Sequence, residues 1–208
     1  MSWHTYLLFV GASFLLSISP GPDMIYLLSR CVAQGPRAGV AASLGINLGC
    51  YVHLLAAITG LSAILMTSAL AFTIVKWAGA AYLIYLGISA LLDRSNVQLT
   101  SSKLRGRSTR AIFLQGFISD VLNPKVAVFF LALLPQFVDQ QAGNVIGQLL
   151  ILGLTVNCIG LAVNLAMVAL SGRISAKLRE DELMAARLRK LMGVMFIGLG
   201  AKLAAERA

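Results

Sequence analysis

Six apolar stretches, at residues 5–29, 38–65, 69–91, 111–138, 145–171 and 189–205, occupy most of the 208-residue chain. About 20 apolar residues in helical form cross the ~30 Å hydrocarbon core of a bilayer, and each stretch is close to that length. Short connections join them, except for two longer, polar and basic ones at 92–110 and 172–188. A soluble globule must cover its outside with charge, yet Asp, Glu, Lys and Arg are 12% of this chain, about half the ~25% of soluble domains. At 58% hydrophobic residues and a mean hydropathy of +0.83, a disordered chain is equally excluded. The pattern predicts an all-α polytopic membrane protein: one transmembrane domain over 1–208, with six helices and no room for an extramembrane module.

The net charge of +9 invites nucleic acid as a partner, but the placement of the basic residues argues for the lipid bilayer instead. Thirteen of the 17 Lys and Arg, counting Arg30 and Arg37 with the first connection, fall in or beside the connections after spans one, three and five. Lys76, Lys202 and Arg207 fall on the other side, and Lys125 inside a span. This asymmetry predicts that the basic connections are cytoplasmic and that both termini face the non-cytoplasmic side. The first span lacks a basic leader, and Pro20 directly after Ser17-Ile18-Ser19 makes a poor cleavage site, so that span is expected to remain.

Two spans carry breakers near their middles: Ser17-Ile18-Ser19-Pro20-Gly21-Pro22-Asp23-Met24 in the first, Asp120-Val121-Leu122-Asn123-Pro124-Lys125 in the fourth. Pro20 and Pro124 are half a chain length apart. Gly45 and Asn47 in span two are echoed by Gly153 and Asn157 in span five, and Lys76 with Gly79 by Lys190 with Gly193. The chain therefore reads as repeat one over about 1–95 and repeat two over about 108–208, with the basic cytoplasmic linker between them. Three spans per repeat is an odd number, so the second copy enters the membrane inverted. Secondary transporters use this arrangement, with the substrate held where interrupted helices meet near the midplane. Proline removes an N–H and clashes with the preceding turn, and freed backbone groups are tolerated at that depth only where they line a polar cavity. A plain proline kink is the competing reading.

Ionisable side chains at membrane depth are costly, about 2.5–3.5 kcal/mol each on insertion scales, so Asp23, Asp120 and Lys125 each need a partner or a role. Asp23, after Pro22, could cap a half-helix, or pair with Lys125, whose charge opposes the dipole of its own half-helix. The same groups could instead hold a zwitterion, its ammonium at Asp23 and its carboxylate at Lys125. His53 shares a stripe with Ala41, Gly45 and Gly49, where it is either an interhelical hydrogen bonder or a proton carrier. Asp23, Asp120 and His53 are thus the candidates for proton coupling. Gly45-x-x-x-Gly49 permits close helix approach. Asn47, Asn157 and Asn164 read as packing groups or as pathway lining. Cys31, Cys50 and Cys158 show no metal spacing and read as small packing residues. Neither HExxH nor GxSxG occurs, so no enzyme, metal site or cofactor is expected.

Ser19-Pro20-Gly21-Pro22-Asp23 followed by Gly35-Pro36-Arg37-Ala38-Gly39 resembles the opening of the LysE/RhtB amino-acid exporters. Lys76-Trp77-Ala78-Gly79-Ala80-Ala81-Tyr82-Leu83, Asn123-Pro124-Lys125-Val126-Ala127 and Pro135-Gln136-Phe137-Val138 extend the likeness in order along the chain. The resemblance implies a six-span exporter of amino acids or their derivatives in the bacterial inner membrane, driven by proton antiport and able to form homodimers. It implies a substrate site at Pro20, Gly21, Pro22, Asp23, Asn123, Pro124 and Lys125. Asp120 departs from the neutral residue expected there. An exporter of metal ions or other small cations is the alternative with the same architecture.

Overall fold

The computed structural model describes residues 1–19, 21–67, 69–92, 106–139 and 141–171, with scattered positions from 190 to 205. Every regular element among the described residues is helical. Helix α1 (Trp3–Ile18) begins where the Ser2 hydroxyl accepts the Thr5 N–H at 3.1 Å, a side-chain cap. It ends as Ser19 turns extended. Gly21 is extended too, and Pro22 opens α2 (Pro22–Gln34) in the first turn, where its missing N–H costs nothing. The axes of α1 and α2 meet at 51°.

The same device recurs a half-chain later. Helix α5 (Thr109–Val121) stops, Asn123 turns extended, and Pro124 opens α6 (Pro124–Val128), which runs on through a wide turn at Phe129–Leu133 and a tight one at Leu134–Phe137. That bend is 48°. Both expected breaks are therefore present, with one change of register. Pro22, not Pro20, is the counterpart of Pro124, and Asp23 and Lys125 each follow directly. Pro20 lies outside the described residues.

Two helices are long and apolar enough to cross a membrane, Pro36–Gly60 within α3 (Pro36–Thr67) and α7 (Val145–Ala169), and up to four if each bent pair is one span. Helix α4 (Ala69–Leu92) coincides with the third expected span. Most of the sixth, and most of the two basic connections, lie outside the described residues.

The packing inverts the soluble pattern. Ser13, Ser43, Asp120 and Asn157 are buried, whereas Leu44, Leu48 and Leu55 on α3 and Ile146, Leu150 and Leu154 on α7 face outward. That is the distribution a lipid solvent favours. Helix α3 is central, packing on α2, α5 and α7. Its approach to α5 is set by glycines: a Cβ on Gly45 would collide with the Phe113 carbonyl, and one on Gly116 would stand 2.7 Å from the Ala42 carbonyl oxygen. The Gly45/Gly49 pair is thus occupied inside the chain, which removes it as an argument for a homodimer. Phe9 of α1 meets Phe137 edge-on with ring centroids 5.1 Å apart, closing the core at the other end.

The two ends of the bundle differ. The Met1 ammonium is 3.5 Å from the Asp139 carboxylate, joining the N-terminus to the loop before α7. At the opposite end Gln34 Nε2 donates to the Arg107 carbonyl at 2.9 Å. Arg30 corrects the charge count above. It lies within α2, fully buried, donating to Gln34 Oε1 at 3.1 Å and to Gln115 Oε1 at 2.7 Å, with its guanidinium 5.4 Å from the centre of the Tyr26 ring. The helix continues four residues past Arg30 to Gly35, the single residue before α3, whose φ of +83° suits a residue without a side chain.

Candidate functional site

Between the two breaks lies a cavity of about 70 Å³. Because roughly 10–15 Å³ of such space takes one water, it admits a few waters or a compact polar solute. The end of α1 contributes Ser17 and Ser19, the first turn of α2 contributes Asp23, and α3 contributes Asn47 and Cys50. Asp120 comes from α5, Lys125 from α6, and Asn157, Gly160 and Asn164 from α7.

Asp23 does not cap its own helix. One carboxylate oxygen accepts the Ser119 hydroxyl at 2.8 Å, and the other accepts the Asn123 side-chain amide. Asn123 is bifunctional, since its Oδ1 also accepts the Lys125 backbone N–H at 3.0 Å and caps α6. The extended backbone at Asn123 turns its amide toward α2.

Lys125 and Asp23 form no ion pair. The Lys125 ammonium donates to Leu16 O at 3.3 Å, Ser19 O at 3.1 Å and Ser19 Oγ at 3.4 Å. These oxygens are the exposed C-terminal end of α1, the negative end of a helix dipole, so the anion that Lys125 needs is supplied by backbone. Gly21 allows the approach: a Cβ there would stand 3.1 Å from Nζ.

Asp120 is buried over Gly49, where a Cβ would stand 2.8 Å from Oδ2. His53 stands behind it. Its Nε2 is 2.9 Å from the Asp120 carbonyl oxygen and 3.9 Å from Oδ2, and its ring stacks near Phe130. An N–H on Nε2 donates to that carbonyl, which sets the tautomer of the neutral ring. Across the cavity Asn47 Nδ2 donates to Asn157 O at 3.0 Å and Asn157 Oδ1 at 2.9 Å, so the two asparagines expected to echo each other are in direct contact.

The structure therefore brings Asp23, Asp120, Lys125, Asn47, Asn157 and Asn164 to one cavity. Gly21 and Asn123 lie directly behind it, Pro22 and Pro124 start the helices that enter it, and His53 backs it without lining it. Ser17, Ser19, Ser119 and Cys50 were not singled out as site residues, although the serines stand within or beside the two breaker motifs and Cys50 is one helical turn from Asn47. Among the described residues, no three His, Cys, Asp or Glu side chains gather as metal ligands.

A family model described as LysE type translocator matches residues 14–207. The chain belongs to the LysE type translocator family. The matched range takes in every residue lining the cavity, from Leu16 to Asn164. Among its relatives is the homoserine/homoserine lactone efflux protein of Salmonella typhimurium, 37% identical over 99% of this chain and 97% of the relative. An uncharacterized membrane protein of Vibrio cholerae is 33% identical over the whole of both chains, and one of Bacillus subtilis is 28% identical over 96% of this chain and 98% of its own. No solved structure matches the chain.

Proposed function

We propose that this LysE type translocator is a secondary exporter, moving amino acids or small amino-acid derivatives out across the inner membrane in exchange for protons. One observation carries the reading: the two proline-started breaks meet at a single cavity containing two carboxylates and an ammonium. Charge inside a lipid-facing bundle marks a pathway, and the Salmonella relative is named for efflux of this kind of solute. Six spans in two inverted repeats is the architecture we assign. It is supported by the matching bends of 51° and 48°, by Pro22 and Pro124 in equivalent first turns, and by the Asn47–Asn157 contact. Gly21, Asp23, Asn123 and Lys125, with the prolines beside them, form the substrate site in this reading. Asp23, Asp120 and His53 are the groups available to carry the coupled proton. No catalytic step is assigned. The basic ends of the helices face the cytoplasm and the Met1/Asp139 end faces outward.

Efflux from preloaded vesicles, one amino acid at a time and with or without a proton gradient, tests the reading. Export should require the gradient for at least one small amino acid or derivative. Asp23→Asn and Lys125→Ala should each abolish export while the protein remains in the membrane. Wild-type rates in both variants would overturn the site, and no gradient-dependent efflux of any solute would overturn the function.

A further inference from the structure

Two buried polar groups lining the cavity have an atom without a hydrogen-bond partner, and they are of opposite kind. Asp120, 2% exposed, leaves the acceptor Oδ2 unpaired, and Asn157, 1% exposed, leaves the donor Nδ2 unpaired. The amide orientation of Asn157 follows from its neighbour, because its Oδ1 accepts from Asn47. Buried polar atoms without partners cost free energy, and a ligand that offers a donor to one and an acceptor to the other removes both costs.

The other charged groups are already committed. Lys125 has three N–H donors, and Leu16 O, Ser19 O and Ser19 Oγ take them. Asp23 receives Ser119 and Asn123 on its two oxygens. The first turn of α2 contains Asp23 itself, whose charge offsets the dipole there. The lining thus presents a free anionic acceptor and a free neutral donor. Its ionised side chains, Asp23, Asp120 and Lys125, sum to one net negative charge.

A zwitterion fits this poorly. Its ammonium suits Asp120, but its carboxylate would meet a neutral amide inside a site already short of positive charge, at a desolvation cost that is not recovered. A monocation with a neutral carbonyl oxygen satisfies both groups and brings the cavity to neutrality. We propose that Asp120 receives the ammonium of the transported molecule and Asn157 its carbonyl oxygen, so that the cavity selects amines whose carboxyl is masked as an amide, ester or cyclic ester over the parent amino acid. This inference rests on the exporter reading, in which the cavity is the substrate site. It reassigns the ammonium from Asp23 to Asp120 and leaves Asp23 to position Ser119 and Asn123.

The test is equilibrium binding to the purified full chain in lipid nanodiscs, using the small amino acids each paired with its own amide at near-neutral pH. The amide of at least one pair should bind about tenfold more tightly than its parent. Asp120→Asn, which keeps the side-chain shape and the carbonyl that His53 contacts, should weaken the amide and bring the ratio close to one. If this variant fails to fold, the wild-type ratio still decides. A parent bound as well as or better than its amide throughout the panel overturns the inference and leaves the exporter reading standing. An amide preference unchanged in Asp120→Asn overturns the assignment to Asp120. No binding by any member of the panel overturns both.

Discussion

Asn123 joins the two halves of the site, and its removal should separate two energies. The side chain caps α6 through the Lys125 N–H and donates across to Asp23. Loss of a cap costs about 1 kcal/mol. Hydrogen bonds between membrane helices average ~0.6 and reach ~1.7 kcal/mol in double-mutant cycles, and an ionised acceptor puts this one at the upper end, about 1–2 kcal/mol. Asn123→Ala should therefore destabilise by about 2–3 kcal/mol, whereas Asn123→Ser, which retains a capping oxygen, should lose only about 1–2 kcal/mol. Asn123→Asp keeps the cap but sets a carboxylate against Asp23, and it should be the worst tolerated of the three. The assay is reversible unfolding in mixed micelles, run as a cycle with Asp23→Asn. Asn123→Ala and Asp23→Asn should be coupled by about 1–2 kcal/mol, whereas additivity within ~0.5 kcal/mol would show that the bridge between the halves carries no energy and that the reasoning fails.

Gly45→Ala should destabilise by about 1–3 kcal/mol through overpacking against α5, while Gly11→Ala, where a Cβ meets nothing within 4 Å, should leave the melting temperature unchanged. In a chain with Cys31 and Cys158 replaced by Ala, maleimide attached to Cys50 should block efflux and transported solute should slow the attachment, because Cys50 lines the cavity. Labelling the exposed Cys158 alone should leave efflux intact. Asp139 accepts the Ala142 and Gln141 N–H groups, and these bonds, with the Met1 ammonium, hold its carboxyl below the usual carboxylate range. Its contribution is complete above that range and is lost as the pH falls through the lowered value. Amine-reactive labelling of Met1, corrected for amine protonation with a reference peptide, should accelerate on acidification to that point and not before.

The helix breaks were legible because proline acts on the backbone, and its effect does not depend on what lies nearby. The register was misread by two residues. Ser19-Pro20-Gly21-Pro22 holds two prolines, and only the one in a first helical turn marks where the second half begins. Partners were harder to read than positions. Lys125 needed an anion, and the chain offers carboxylates by name, whereas helix-end carbonyls are anonymous in a sequence. Arg30 was assigned to a connection because charge normally ends a span, although Gln34 one turn later and Tyr26 one turn earlier were its partners all along. Gly45-x-x-x-Gly49 announced a close contact without saying whose, and the answer, α5, depends on tertiary structure. Asn47 and Asn157 were paired by analogy alone, and their contact shows that the echo has a spatial counterpart.

The joint at Gly35 has a mechanical consequence. With one residue between α2 and α3, there is no slack for either helix to slide along the other. Any rearrangement that opens the cavity at that end must pivot the pair as an elbow, carrying Asp23 at one tip of the lever while Asn47 and Gly49 ride on the opposite arm.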